Sequence, residues 1–186
     1  ALIGAPKAPA WVNALLNSPA TKFDGKVGAH VLLQEHRVTI DGQGKAFLRV
    51  RSAARILNNG GRGRASARML YRKDSGKVKD LNAWLITPSG TVKEYGKKEA
   101  IDIALAENDV YSEGRARAII AGTEAIAGSL FAYEGESEES SIFTQREWRF
   151  QDDEPALLSR FVLELPPGWR AESKTYNHPT IEPKVS

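Results

Sequence analysis

Cysteine is absent from all 186 residues, so the chain holds no disulfide, no thiolate metal ligand and no thiol nucleophile. Histidine occurs three times, as His30, His36 and His178, whereas a metal centre usually takes three or four ligands. On an extended strand His30 and His36 stand about 20 Å apart, at roughly 3.3 Å per residue, which is too far to share an ion. No apolar run approaches the roughly 20 residues that cross a bilayer as a helix, so no membrane span is expected. A serine nucleophile lacks its setting as well, because "AGS" before Leu130 is not the G-x-S-x-G elbow. No catalytic residue, no metal site and no cofactor is therefore nominated.

What is present is the composition of an ordinary globular chain, 41% hydrophobic and 26% charged, long enough for one sizeable core. It begins "ALIGAPKAPAW", with neither Met nor a basic-then-apolar leader, and reads as a mature exported form or a piece of a longer chain. In "PAWVNALLNS", Trp11, Val12, Leu15 and Leu16 fall at helical spacing before Ser18-Pro19, which predicts a short docked helix.

From Gly28 the period changes to two. "AHVLLQEHRVTI", the glycine-rich turn "DGQGK" and "AFLRVRSAARIL" predict a hairpin. Its second arm puts Leu48, Val50, Ala54 and Ile56 on a core face, and Phe47, Arg49, Arg51, Ala53 and Arg55 on the other. "NNGGRGR" breaks the pattern and is expected to be a flexible connection. "ASARMLYRK" then resumes it, with Ala65, Ala67, Met69 and Tyr71 inward. "VKDLNAWLITPSGTVKEY" gives two strands around Pro88-Ser89-Gly90, and "KKEAIDIALAEND" pairs Ile101 with Leu105 as a helical turn or a long connection. "ARAIIAG", "SLFAYEGESE", "SIFTQREWRFQ", "ALLSRFVLELP" and "RAESKTYN" each have strand length. About nine or ten strands with turns every 8 to 15 residues, roughly, predict an all-β fold, a two-sheet antiparallel β-sandwich with few helical turns.

Charge is unevenly spread although the net value is only +3. Residues 43–80 carry 11 Lys or Arg against 2 Asp, and residues 134–154 carry 8 acids against 2 Arg. The reading preferred here is that these regions face each other or cover different solvated faces. A nucleic-acid surface built from Arg49, Arg51, Arg55, Arg64 and Arg68 is disfavoured, because Phe47 alone is no stacking platform and Tyr71 lies on its strand's apolar face. "EGESEESS" and "DDE" supply carboxylates, but such density suits a solvated turn better than a tuned acid and base. "NNGGRGRA" is no phosphate cradle, since a strand rather than a helix follows it. Trp84, Trp148 and Trp169 are the candidate contact residues, as core by default and as a platform for protein or glycan if exposed together.

"WLITPSGTVKEY", "NDVYSEGRARAIIAG", "GSLFAYEGESE" and "QREWRFQDDEPALLSRFVLELPPGW" together resemble the N-terminal domain of unknown function 3857, found in bacterial proteins ahead of a transglutaminase-like domain. The likeness runs from about Gly28 to about Tyr176. It implies a β-sandwich, an exported and periplasmic location, and a Cys-His-Asp site that belongs to the following domain. No family catalytic residue carries over to a position here. The expected organisation is an N-terminal extension with a short helix at 1–27, an accessory β-sandwich at 28–176, and the start of a linker at 177–186. The expected function is a non-catalytic accessory domain, with the downstream transglutaminase-like domain as its partner and a role in binding substrate protein. A cell-envelope glycan-binding module is the alternative.

Overall fold

The computed structural model describes residues 8–18, 21–105, 113–140, 145–150 and 152–185. The β-branched, alternating run after Gly28 forms β1 (Ala29–Ile40), which turns through Asp41–Lys45 into β2 (Ala46–Ile56). Asp41 makes that turn possible, because its Oδ1 accepts from the amides of Gln43 and Lys45 and Gly44 takes a φ of +82°. There follow β3 (Ser66–Arg72), β4 (Gly76–Ile86), β5 (Val92–Tyr95), β6 (Ile101–Ala104), β7 (Gly114–Ile120), β8 (Leu130–Glu139) and β9 (Ser159–Glu164). The one α-helix among the described residues, α1 (Ala10–Leu16), lies where the apolar spacing predicts it.

The strands make two sheets, and the fold is all-β. A six-stranded sheet has the order β5-β4-β8-β2-β1-β9 and a three-stranded sheet the order β3-β7-β6. Every neighbouring pair is antiparallel except β1 and β9, which run parallel. A parallel neighbour needs a long crossover, and residues 140–158 supply it. The main core lies between the sheets, where Val50, Ile56, Met69, Leu81, Leu85, Ile119 and Phe131 pack with small alanines. The outer face of the large sheet is covered as well, since Val12 of α1 sits on Leu32, Ala53, Trp84, Ile86 and Leu130. Ala53, on the arginine face of β2, is therefore buried too.

Four local expectations give way to tertiary structure. "NNGGRGR" is a 3-10 helix, Asn59–Arg64, because the Asn58 side chain accepts from Gly60 N and its amide donates to the carbonyls of Gly25 and Val27. The stretch read as helical turn or connection holds β6, because Ile101 and Ile103 find β7 as a neighbour and the period-2 reading wins over the Ile101–Leu105 pair. Residues 145–150 of "SIFTQREWRFQ" form no strand, since Trp148 spends its apolar surface on His36 and Phe161 instead of entering a ladder. The remaining positions of that run, 141–144 and 151, lie outside the described residues. "RAESKTYN" is also irregular, with polar side chains and no strand beside it to pair with.

Candidate functional site

The opposed charge runs meet across the outer face of the large sheet. Register sets Arg49 opposite Glu136, Arg51 opposite Glu134 and Phe47 opposite Glu138 on β2 and β8. Arg49 Nε donates to Glu136 at 2.9 Å, and Glu134 accepts from both Arg51 Nε at 3.3 Å and Trp11 Nε1 at 3.0 Å. Glu138 gathers Lys45, Lys77 and Lys79 at 3.1, 3.1 and 2.6 Å. Farther along, Arg37 pairs with Glu164 and Arg160 with Glu35. A groove for polyphosphate needs unneutralised cations, and most of the hairpin's arginines are already engaged.

Lys79, then Lys77 and Lys45, hold the Glu138 carboxyl down from 4.5 to about 2. An acid lowered in the folded state binds fewer protons there than in the unfolded chain, so acidification favours unfolding. Its contribution is whole above pH 4.5 and disappears as pH falls toward 2. Glu138→Gln should therefore flatten the acid limb of the stability curve over that interval, read as the thermal midpoint against pH. A wild-type-like acid limb in that variant would remove Glu138 from the account.

The candidate tryptophans fall in three separate places. Trp84 is 5% exposed on the outer face beneath α1, edge-to-face with Trp11 at 6.4 Å. Trp148 lies on the inner face over the β1–β9 pair, with ring centroids 4.8 Å from His36, 5.9 Å from Phe161 and 6.4 Å from Phe150. Trp169, past the left-handed Gly168 of the Pro-Pro-Gly corner, is 47% exposed. Trp84 and Trp148 occupy opposite faces, with β8 and β2 between the β4 strand of one and the β1 strand under the other, and do not form a common platform. The run from Glu147 to Trp169 is thus a half-buried tryptophan beside an exposed Phe150, an acidic corner and an edge strand.

The histidines have structural neighbours. His30 packs on Phe23 at 4.8 Å, and burial, then the Arg55 charge, lowers its pKa below the ordinary value. Burial does the same to His36 under Trp148. Among the described residues no three His, Asp or Glu side chains are grouped to hold a metal.

One concave feature was not foreseen. The three-stranded sheet stands over β4 and β8, and beside it a groove lies over the stretch of β2 and β1 that holds Ser52, Ala54, Val31 and Gln34. This groove, about 510 Å³, has a floor of Val31, Gln34, Ser52, Ala54, Phe131 and Tyr133. One wall is the 3-10 helix with the start of β3, and the other is residues 153–154. Arg64 clamps the walls together through Asp152, at 3.0 Å, and Glu154. Burial raises the Tyr133 hydroxyl above its ordinary value, offset in part by Ser52 and Arg64. Sequence reasoning missed this groove because its lining comes from six separate segments and shares no motif. The small residues alternating on β2, Ser52 and Ala54, were the only local sign of room above the strand.

The family model for DUF3857, a domain of unknown function with solved structure, matches residues 43–186. No curated protein matches the sequence. A crystal structure of a "putative protease" from Parabacteroides distasonis ATCC 8503 superposes with a TM-score of 0.67 over 76% of this chain at 12% identity. This chain spans only 29% of that protein's length, and at that identity the likeness is one of fold. More than three quarters of the sequence lies inside the family model, and the chain belongs to the DUF3857 family.

Proposed function

We propose that this chain is a non-catalytic accessory domain of an exported, periplasmic protein, which packs beside a transglutaminase-like domain and helps present substrate protein to it. The observation that carries this reading is the position of its exposed apolar side chains. Phe150, Leu157, Leu158, Leu163, Trp169 and Tyr176 lie in β9 and the segments on either side of it, while a smaller set, Leu70, Ile101 and Ile120, belongs to the three-stranded sheet. Exposed apolar side chains along an edge strand, with charges such as Arg37 and Glu164 beside them, suit a docking face. The solved relative, in which this fold makes up a minor part of a longer chain described as a protease, agrees with such an arrangement. The expectation of a transglutaminase-like neighbour comes from the resemblance to the family whose model matches residues 43–186.

The test compares the isolated domain with the intact parent protein by hydrogen exchange. Amides of β9 and of residues 165–176 should exchange markedly more slowly in the parent. Equal exchange in both would overturn the docking role, and hydrolysis of peptides or amides by the isolated domain would overturn the non-catalytic one.

A further inference from the structure

We infer that the free edge of β3 is a peptide-binding site, which takes an extended segment with an acidic residue as a fourth strand of the small sheet. The site goes beyond the docking role of the β9 face and stands on a different element, so neither depends on the other.

The backbone supplies the first argument. Ala121 N donates to the Ala65 carbonyl at 2.8 Å, and Lys73 N donates to the Glu113 carbonyl at 2.9 Å. These bonds frame the β3–β7 ladder, in which Ala67 faces Ile119, Met69 faces Arg117 and Tyr71 faces Arg115. Hydrogen-bonded and non-hydrogen-bonded pairs alternate along an antiparallel ladder, so the odd-numbered residues spend their amides and carbonyls on β7. Ser66, Arg68 and Leu70 therefore aim theirs away from β7, and among the described residues no other strand receives them. A row of such groups is a template for one more strand.

The space beside that row is the second argument. A strand added to β3 would lie over β2 and β1, which is where the groove opens. On β2 and β1 its floor is Ser52, Ala54, Val31 and Gln34, and packed sheets stand about 10 Å apart, which leaves room for inward side chains of modest size over the first three. Gly60 and Gly63 add no side chain to the neighbouring wall, and Arg64 reaches from it to Asp152 and Glu154 on the opposite one.

Side chains on the outer face choose the occupant. Arg68 and Leu70 share that face with Ile101, Ile103 and Ile120, and Leu70 is 63% exposed. Arg64, Arg72 and Arg117 are engaged by Asp152, Asp74 and Asp102, whereas Arg68 makes no ion pair among the described residues. The complementary strand carries Asp or Glu beside Arg68, an apolar residue beside Leu70, and small apolar residues at the alternate positions over Ala54 and Val31.

A short fluorescent peptide of that alternating pattern, titrated into the domain, tests the site. Expected are saturable binding and slowed exchange of the Ser66, Arg68 and Leu70 amides, while those of Ala67, Met69 and Tyr71 are already slow without peptide. Arg68→Glu should weaken binding at least about tenfold, and a peptide with Lys in place of the acid should recover part of the loss. Leu70→Pro removes one edge donor without touching the β7 ladder and should abolish binding while the fold persists. No change in the three edge amides at peptide excess would overturn the proposal, as would binding indifferent to Arg68→Glu. Protection of the same amides by self-association alone, with no peptide, would make a second copy of the chain the occupant and overturn it equally.

Discussion

Gly61→Ala is expected to destabilise the domain by about 3 kcal/mol or to prevent its folding, the upper end of what overpacking costs. A Cβ built on Gly61 would stand 1.8 Å from the Gly28 carbonyl oxygen and 2.3 Å from its carbon, and both atoms belong to backbone that cannot swing aside. The approach is mutual, since a Cβ on Gly28 would stand 2.7 Å from Gly61 N. Moving either segment would also strain the bonds by which Leu57 and Asn58 donate to Gly28 O, at 2.9 and 3.3 Å. Gly63→Ala is the matched control two residues away. Nothing lies within 4 Å of its added Cβ, so its cost should stay within about 0.5 kcal/mol. Urea denaturation of the two variants separates steric contact from the general loss of glycine freedom. Equal midpoints would mean that the Gly28–Gly61 contact does not hold the 3-10 helix against the start of β1.

Phe131→Ala should cost about 3 to 5 kcal/mol, a large share of the 5 to 15 typical of a folded domain. The ring is 1% exposed on β8, sits in the main core and lies 6.4 Å from Tyr133. It also forms part of the groove floor, so its loss would join a new cavity to an existing opening. Collapse around the gap is hindered because Phe131 is flanked in register by Ala54 on β2 and Leu85 on β4, both fixed in central strands. The check is a lower urea midpoint with an unchanged denaturant slope, the sign of lost stability without a changed unfolded state. A loss under about 1 kcal/mol would show that the two sheets do not depend on this ring for their spacing.

The residues explain why parts of this fold were legible and parts were not. β1, β2, β3 and β4 each pair the period of two with turn chemistry at their ends, as in "DGQGK" and Pro88-Ser89-Gly90, and local signals of both kinds agree there. The same period in "SIFTQREWRFQ" misled, because alternation reports which side chains are apolar and not whether a neighbouring strand is at hand. Trp148 satisfies much of its apolar surface against His36 and Phe161 without a ladder, and Phe150 leans on it while staying exposed. At "KKEAIDIALAEND" the Ile101–Leu105 spacing suits a helix as well as a strand, and only β7 decided between them.

The candidate site was less legible still. The tryptophans drew notice for what indoles commonly do, while the groove is lined by Gln34, Ser52 and Tyr133, which stand out nowhere in the chain, and by Arg64, which stood out only as one of a basic run. The charge runs were plain in the sequence, but their partners came from the order β4-β8-β2, which sets the acids of β8 between two basic strands.

Two properties of this protein followed from the sequence alone, because each is local. Without cysteine no thiol chemistry is open to it, and alternating apolar residues between turn signals commit the chain to strands. The tertiary structure decided everything that depends on which distant segments become neighbours. It paired the basic and acidic runs, set Trp84 and Trp148 on opposite faces, ran β9 parallel to β1, and left a three-stranded sheet over a six-stranded one. The last of these creates both the groove and the free edge of β3, since sheets of unequal width leave backbone groups and a floor of mixed polarity that no strand of the described chain covers.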